Sequence, residues 1–290
     1  MRHQGDLWAL VLAAGEGSRI RDRTLDSRGE PAPRQFCTLG GSRSLLHRTL
    51  KRAERLTPAR HVVTVVADQH RRWWEPELAD RPAENVVVQP CHRGTAVGIL
   101  LAVLRILRRD FRARVLVFPA GHHVADEDTL HRTLIEAARV TRQDSDRAVL
   151  FGMVPDEPDP ECGWILPASS GNDPIRPVAA LVDAPELGTA RHLMQQGGLL
   201  FSCMVLAHGS TLLNLYERAA PWLLEAFQML PHDAGAQQAD LSMIYQDLPR
   251  CDFKREVLAL VPGHLSVAAV PPCGWNDLGT PAHLDRFRAA

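Results

Sequence analysis

Phosphate-handling chemistry is the first reading that residue types and spacing support. In Leu12-Ala13-Ala14-Gly15-Glu16-Gly17-Ser18-Arg19, two glycines, a serine and an arginine follow an apolar run, and Pro33-Arg34-Gln35-Phe36 comes shortly behind. Glycines let a chain turn sharply and bring its N–H groups against an anion, while an arginine adds a fixed positive charge. The spacing is not that of a dinucleotide fingerprint, and no Lys-Ser/Thr closes the loop as a P-loop requires. A second group is His122-His123 with Asp126 close in sequence. It could offer imidazole to a transition metal, or form a solvated turn after a strand.

The elements that must position these residues read as alternating strands and helices. Leu7 to Val11 is apolar enough for a buried strand, so the glycines fall where that strand ends. Ser44 to Leu56 has apolar residues at helical spacing, with Ser44 as N-cap. His61 to Ala67 and Asn85 to Pro90 are β-branched runs expected as strands, the second stopped by its proline. Gly94 to Arg109 reads as a helix, Ala113 to Pro119 as a strand and Asp126 to Arg142 as a helix. Such alternation predicts a parallel sheet covered on both faces, with ligands at the carboxyl ends of its strands, where Gly15, Gln89 and Gly121 fall.

From Arg147 the rhythm changes. Ala148 to Val154, Pro177 to Val182, Leu199 to Ala207, Val257 to Val261 and Leu265 to Val270 read as strands. Glu186 to Gln195, Ser210 to Leu230, Gln237 to Leu248 and Pro281 to Phe287 read as helices. With no internal repeat and no low-complexity linker, the chain is expected to form one domain, with halves 1–154 and 155–290 meeting near the acidic turn Pro155 to Pro160.

Composition narrows the function classes. At 290 residues with 45% hydrophobic and 23% charged residues, the chain can bury a sizeable core. A net charge of −1 provides no general attraction to nucleic acid or an anionic membrane. The arginines ending the helix before Asp110 read as a solvated face. No apolar run approaches the ~20 residues needed to span a bilayer, and no signal-peptide core is seen, so a cytoplasmic protein is expected. Six scattered cysteines without metal spacing read as free thiols. Of 33 basic residues only Lys51 and Lys254 are lysines, a chain-wide drift toward arginine.

Several segments, in order, resemble the sugar-1-phosphate nucleotidyltransferase family, most of all its mannose-1-phosphate guanylyltransferase branch. The loop from Leu12 with Pro33-Arg34-Gln35-Phe36 is similar to LAGGxGxRLxP followed by PKQF. Gln89-Pro90-Cys91-His92-Arg93-Gly94-Thr95-Ala96 resembles a QPxxRGTA segment, and Cys162-Gly163-Trp164-Ile165 the TGYGYI stretch. Val178 to Pro185, Gly197 to Ser202 and Trp275 to Thr280 resemble the VxxFVEKP, GxLWNSG and WxDxG motifs.

The resemblance implies a three-layer α/β fold of nucleotide-diphospho-sugar transferase (Rossmann-like) type, with a mixed, mostly parallel sheet and no room for the family's C-terminal β-helix. The implied reaction joins a sugar 1-phosphate to a nucleoside triphosphate, most like mannose 1-phosphate and GTP, releasing pyrophosphate. Arg19 and Arg34 would be catalytic, on the triphosphate and near the α-phosphate. Leu12, Ala13, Ala14, Gly15, Gly17, Ser18, Gln89, Gly94 and Thr95 would bind the nucleotide, with the Gln89 amide at a base edge. Gly163, Asp183 and Ser202 would bind the sugar phosphate, and Asp277 would hold Mg²⁺. A homo-oligomer is compatible with this reading.

Three motifs depart from the family pattern. The PSDH motif reads Pro119-Ala120-Gly121-His122, so Gly121 replaces a metal carboxylate. The EKP lysine falls at Ala184, and the Trp-Asn pair falls at Leu200 and Phe201. A second reading is therefore a weakened or inactive paralogue that binds a nucleotide or nucleotide-sugar as a regulator or partner subunit.

Overall fold

The computed structural model describes residues 5–26, 28–39, 41–141, 146–168, 173–228 and 237–289. Its strands are β1 (Leu7–Leu12), β2 (Val62–Ala67), β3 (Val86–Gln89), β4 (Arg114–Pro119), β5 (Ala148–Met153), β6 (Trp164–Pro167), β7 (Ile175–Val182), β8 (Leu199–His208) and β9 (Leu265–Val270). Its helices are α1 (Leu45–Glu54), α2 (Arg71–Glu77), α3 (Thr95–Arg109), α4 (Glu127–Val140), α5 (Leu187–Gln195), α6 (Gly209–Ala219), α7 (Pro221–Gln228), α8 (Gln237–Asp247), α9 (Phe253–Glu256) and α10 (Pro281–Ala289).

The strands form one sheet in the order β3-β2-β1-β4-β8-β5-β9-β7-β6, with β6 also paired to β8. The run β3-β2-β1-β4 is parallel, as is β5 with β9, while β8 lies antiparallel between β4 and β5. β7 and β6 close the far edge with antiparallel pairs. Parallel pairing is thus concentrated in the half that carries the glycine loop.

β1 shows why the sheet is covered on both faces. Leu7, Ala9 and Val11 pack into one apolar layer and Trp8 and Leu10 into the other. An alternating strand whose two faces are both buried must read as a continuous apolar run. α3 and α6 lie over one face; α1, α2, α4 and α5 lie over the other. Leu45, Leu46 and Leu50 of α1 are all buried, each burial contributing about 1.5–3 kcal/mol. Ser44 caps that helix by accepting a hydrogen bond from His47 N at 3.0 Å.

Two expected elements differ. Ser210 to Leu230 is not one helix: α6 ends at Ala219 and α7 restarts at Pro221, because a residue before proline avoids the helical region. Residues 229–230 of that expectation, and Arg142 at the end of the expected helix from Asp126, lie outside the described residues. Val257 to Val261 is not a strand. Asp252 caps α9 by accepting from Arg255 N at 3.0 Å, and the chain continues into a 3₁₀ turn, Leu258–Leu260. Its apolar residues Val257 and Leu258 are buried against the α3 layer rather than in the sheet.

Candidate active site

A cleft of about 340 Å³ opens where β1, β3 and β4 end. Leu12, Ala14, Gly15, Gly17, Ser18, Arg19, Arg34, Gln89, Gly94 and Thr95 line it together, all from the sequence-derived set. Ala13 does not: it is buried, and its N–H donates to Val65 O at 2.8 Å, so it belongs to the sheet.

The loop is held from beneath. Gln35 donates from Nε2 to the carbonyls of Ala13 (3.0 Å) and Gly15 (2.8 Å), fixing the turn with its N–H edge free. Among the described residues, the amides of Gly15, Glu16 and Gly17 donate to no backbone carbonyl. Gly17 has φ 61°, in the left-handed region, and a Cβ there would lie 3.4 Å from Arg34 N. Above the loop, Glu16 pairs with Arg250 at 3.3 Å across the cleft mouth.

The β3 side carries Gln89 at 1% exposure. Its Oε1 accepts from Tyr245 Oη at 2.9 Å, which orients the amide and leaves Nε2 beside Gly98 as a donor. Thr95 lines the cleft, yet its hydroxyl is used to anchor α9, donating to Asp252 Oδ2 at 3.2 Å and accepting from Phe253 N at 2.8 Å.

Where Gly279 forms part of the cleft wall, three charged groups converge. Asp277 Oδ2, Arg34 Nη1 and Arg19 Nη2 lie 2.7, 3.0 and 3.2 Å from the point where a Cβ on Gly279 would stand. No hydrogen bond or ion pair engages either guanidinium among the described residues. Both side chains line the cleft. Burial pushes the Arg34 pKa down and the Arg19 charge adds to this, while Asp277 pulls it up.

Asp277 is held by its own network. Its Oδ1 takes a hydrogen bond from Gly279 N at 2.8 Å and a short one from His283 Nδ1. His283 Nε2 bonds Asp159 Oδ2 at 2.8 Å, and Arg286 bonds the same oxygen at 2.8 Å. Burial opposes charge on His283, but its bonds to Asp159 and Asp277 win and raise its pKa to about 12. Burial likewise opposes charge on Asp277, and the His283 bond and the Arg34 charge hold it well below the usual carboxylate range. On the far side of Asp277 a second cavity, about 560 Å³, includes Leu200 and Trp275.

The histidine pair does not make a metal site. Burial and then Arg34 push His122 down to about 3, so its ring is neutral and accepts from Trp275 Nε1 at 3.2 Å. His123 packs against Phe287 in a tilted contact, ring centroids 4.7 Å apart, and Asp126 caps α4 by accepting from Thr129 N at 3.0 Å.

On the sugar-phosphate side, Ser202 is a correction. It is fully buried, donates to Phe151 O within the sheet and accepts from Met204 N at 3.2 Å. Its neighbour Cys203, with φ 59°, turns out of the strand and lines the cleft instead. Asp183 forms a short ion pair with Lys254 and another with Arg255 at 3.4 Å. Gly163 leaves room for that lysine, since a Cβ there would lie 2.7 Å from Lys254 Nζ.

The sequence profile of the nucleotidyl transferase family matches residues 8–289, nearly the whole chain. The chain belongs to the nucleotidyl transferase family. A mannose-1-phosphate guanylyltransferase of Escherichia coli (strain K12) is 28% identical over 292 residues, covering 96% of this chain and 59% of the relative. One from Salmonella muenchen is 27% identical, covering 93% and 57%, and the xanthan biosynthesis protein XanB of Xanthomonas campestris pv. campestris (strain B100) 28%, covering 95% and 58%. The chain spans less than three fifths of the length of these relatives. Among solved structures, that of a mannose-1-phosphate geranyltransferase from Thermus thermophilus superposes with a TM-score of 0.83 at 23% identity, covering 98% of this chain and 80% of that one. The fold is that of the nucleotide-diphospho-sugar transferases.

Magnesium held by this nucleotidyl transferase does not suit the residues present. Mg²⁺ wants near-octahedral oxygens, usually one or two carboxylates beside substrate phosphates. With Asp277 Oδ1 already taken, a single carboxylate oxygen, Oδ2, remains; Gly121 offers no side chain, and a Cβ on Gly121 would collide with Arg34 Nε. The Arg34 side chain fills the space against Gly121 instead.

Sequence reasoning missed Lys254, Tyr245, Arg250, Cys203 and the Asp159–His283 pair. Only Lys254 carried a signal: it is one of two lysines in an arginine-rich family member. The acidic turn read as a boundary contains Asp159, which is buried and pins α10.

Proposed function

We propose that the chain transfers a nucleotidyl group to a sugar 1-phosphate, with GTP and mannose 1-phosphate as substrates, as the names of its relatives suggest. The observation that carries this reading is the convergence of Arg19, Arg34 and Asp277 on Gly279, beside a loop whose Gly15, Glu16 and Gly17 amides donate to no backbone carbonyl among the described residues. A sugar-phosphate oxygen attacks the α-phosphorus, the bond from that phosphorus to the β-phosphate bridge oxygen breaks, and pyrophosphate leaves. The attacking oxygen is anionic at neutral pH, so no general base is needed. The protein's task is to align two polyanions and offset their repulsion.

The loop amides and Arg19 suit the triphosphate, and Arg34 the α-phosphate. Gln89 Nε2 offers a donor to an acceptor on the base edge; guanine is favoured by the relatives rather than by this one amide. Lys254, beside Asp183 and Gly163, supplies the cation that Ala184 lacks. A silent paralogue finds no support among the relatives.

Pyrophosphate release with a panel of nucleoside triphosphates and sugar 1-phosphates tests the reading. Turnover is expected with GTP and mannose 1-phosphate, falling about 10²–10³-fold in Arg34→Met, the usual effect of deleting one electrostatic stabiliser. Release equal in the wild type and Arg34→Met would remove Arg34 from the reaction.

A further inference from the structure

Asp277 poses an electrostatic problem. Its Oδ2 lies 2.7 Å from the point where a Cβ on Gly279, part of the cleft wall, would stand, and a phosphate brought there would meet anion with anion, which is repulsive unless a cation stands between them. A lost metal carboxylate at Gly121 would leave a hole if the site had merely decayed. Here the hole is filled. The Arg34 stem lies across Gly121, with Cγ and Cδ each 3.2 Å from the position of a Cβ there and Nε closer still, and its Nη1 reaches the same point above Gly279 as Asp277 Oδ2. Glycine at 121 is therefore what lets the guanidinium pass.

We propose that Arg34 is the resident cation of this cleft, standing in the place of a protein-held divalent ion, so that the protein binds nucleotide phosphates without such an ion. The inference deepens the nucleotide reading above and rests on it. Arginine suits the part where lysine would not. Its planar fork has donors to spare for phosphate oxygens after spanning Gly121, it does not deprotonate, and it is weakly hydrated. Asp277, clamped by His283, then acts as a positioning residue that holds Arg34 by charge rather than as a metal ligand.

Two measurements on the intact protein test this without requiring turnover. Mn²⁺ titrated into ligand-free protein, with free ion read by electron paramagnetic resonance, is expected to bind no better to the wild type than to Asp277→Asn. A stoichiometric site that Asp277→Asn abolishes would overturn the proposal. GTP binding measured by calorimetry is expected to differ by less than about threefold between EDTA and Mg²⁺, and to weaken in EDTA by roughly tenfold to a hundredfold in Arg34→Met. Gly121→Asp should also weaken binding in EDTA by about tenfold, because the new carboxylate pairs with Arg34; unchanged or tighter binding counts against the proposal. GTP that binds only with Mg²⁺ overturns this inference and leaves the reaction standing. GTP that binds in neither buffer removes the nucleotide reading, and this inference with it.

Discussion

Arg34 and Lys254 show how little a residue's identity says until its neighbours are known. In a chain with two lysines, an arginine at position 34 looks like drift, and the cleft shows instead a side chain whose length and fork are used. Lys254 is the converse case, a lysine retained beside Asp183, Gly163 and the Phe201 ring, 5.8 Å from its centroid. If it holds the sugar phosphate, Lys254→Met raises KM for mannose 1-phosphate about tenfold or more, a lost charged hydrogen bond, and leaves KM for GTP nearly unchanged. Steady-state kinetics varying each substrate separately decides this, and an equal rise in both KM values would rule the assignment out.

Elements place these residues through a few contacts that tolerate no substitution. Gly94, at φ 95°, lets the α3 N-terminus meet the 251–252 segment, where Ala96 N donates to Cys251 O at 3.1 Å and Cys251 N to Arg93 O at 2.9 Å. A Cβ on Gly94 would collide with the Cys251 carbonyl and lie 2.7 Å from its carbon. Gly94→Ala is therefore expected to lower stability by about 2 kcal/mol or more, from strained backbone and a pushed-off segment, and to weaken GTP binding because Arg250 shifts with it. Denaturant unfolding and calorimetry together check both effects. At this scale the sequence was most legible: strands β1, β2, β4 and β9 announce themselves as apolar or β-branched runs, and Ser44 and Asp126 cap the helices that follow. Val257 to Val261 misleads because five residues rich in Val and Leu satisfy a strand pattern and a buried turn equally well.

Across the whole molecule the Asp159–His283–Asp277 chain ties the acidic turn, the Asp277 loop and α10 together. His283 titrates near 12 when folded against 6.5 as the ordinary value, so its contribution is complete below about pH 6.5 and declines as pH rises toward 12. Asp159 and Asp277 sit below the ordinary 3.8, so theirs is present above about pH 4 and is lost as pH falls further. The melting temperature should therefore peak between about pH 4 and 6.5 and fall toward pH 9. His283→Gln should flatten that alkaline limb and cost about 3–5 kcal/mol at pH 7, because the imidazolium between the two carboxylates is lost and Asp159 keeps only its bond from Arg286. An unaltered alkaline slope in the variant would show that His283 is not the group responsible.

Family, fold class and most of the cleft's lining were determined by the sequence itself, because phosphate loops and buried strands are local patterns whose spacing survives drift. The glycine loop, Arg19, Arg34, Gln89 and Gly94 meet as their order along the chain implied. What occupies the space beside Gly121, which residues surround Lys254, and why Ser202 faces inward while Cys203 faces the cleft were decided only by tertiary structure. Those answers come from residues as distant as Arg34 with Gly121, Lys254 with Gly163 and His283 with Asp159. Electrostatic balance depends on separation in space, and nothing local in the chain encodes it.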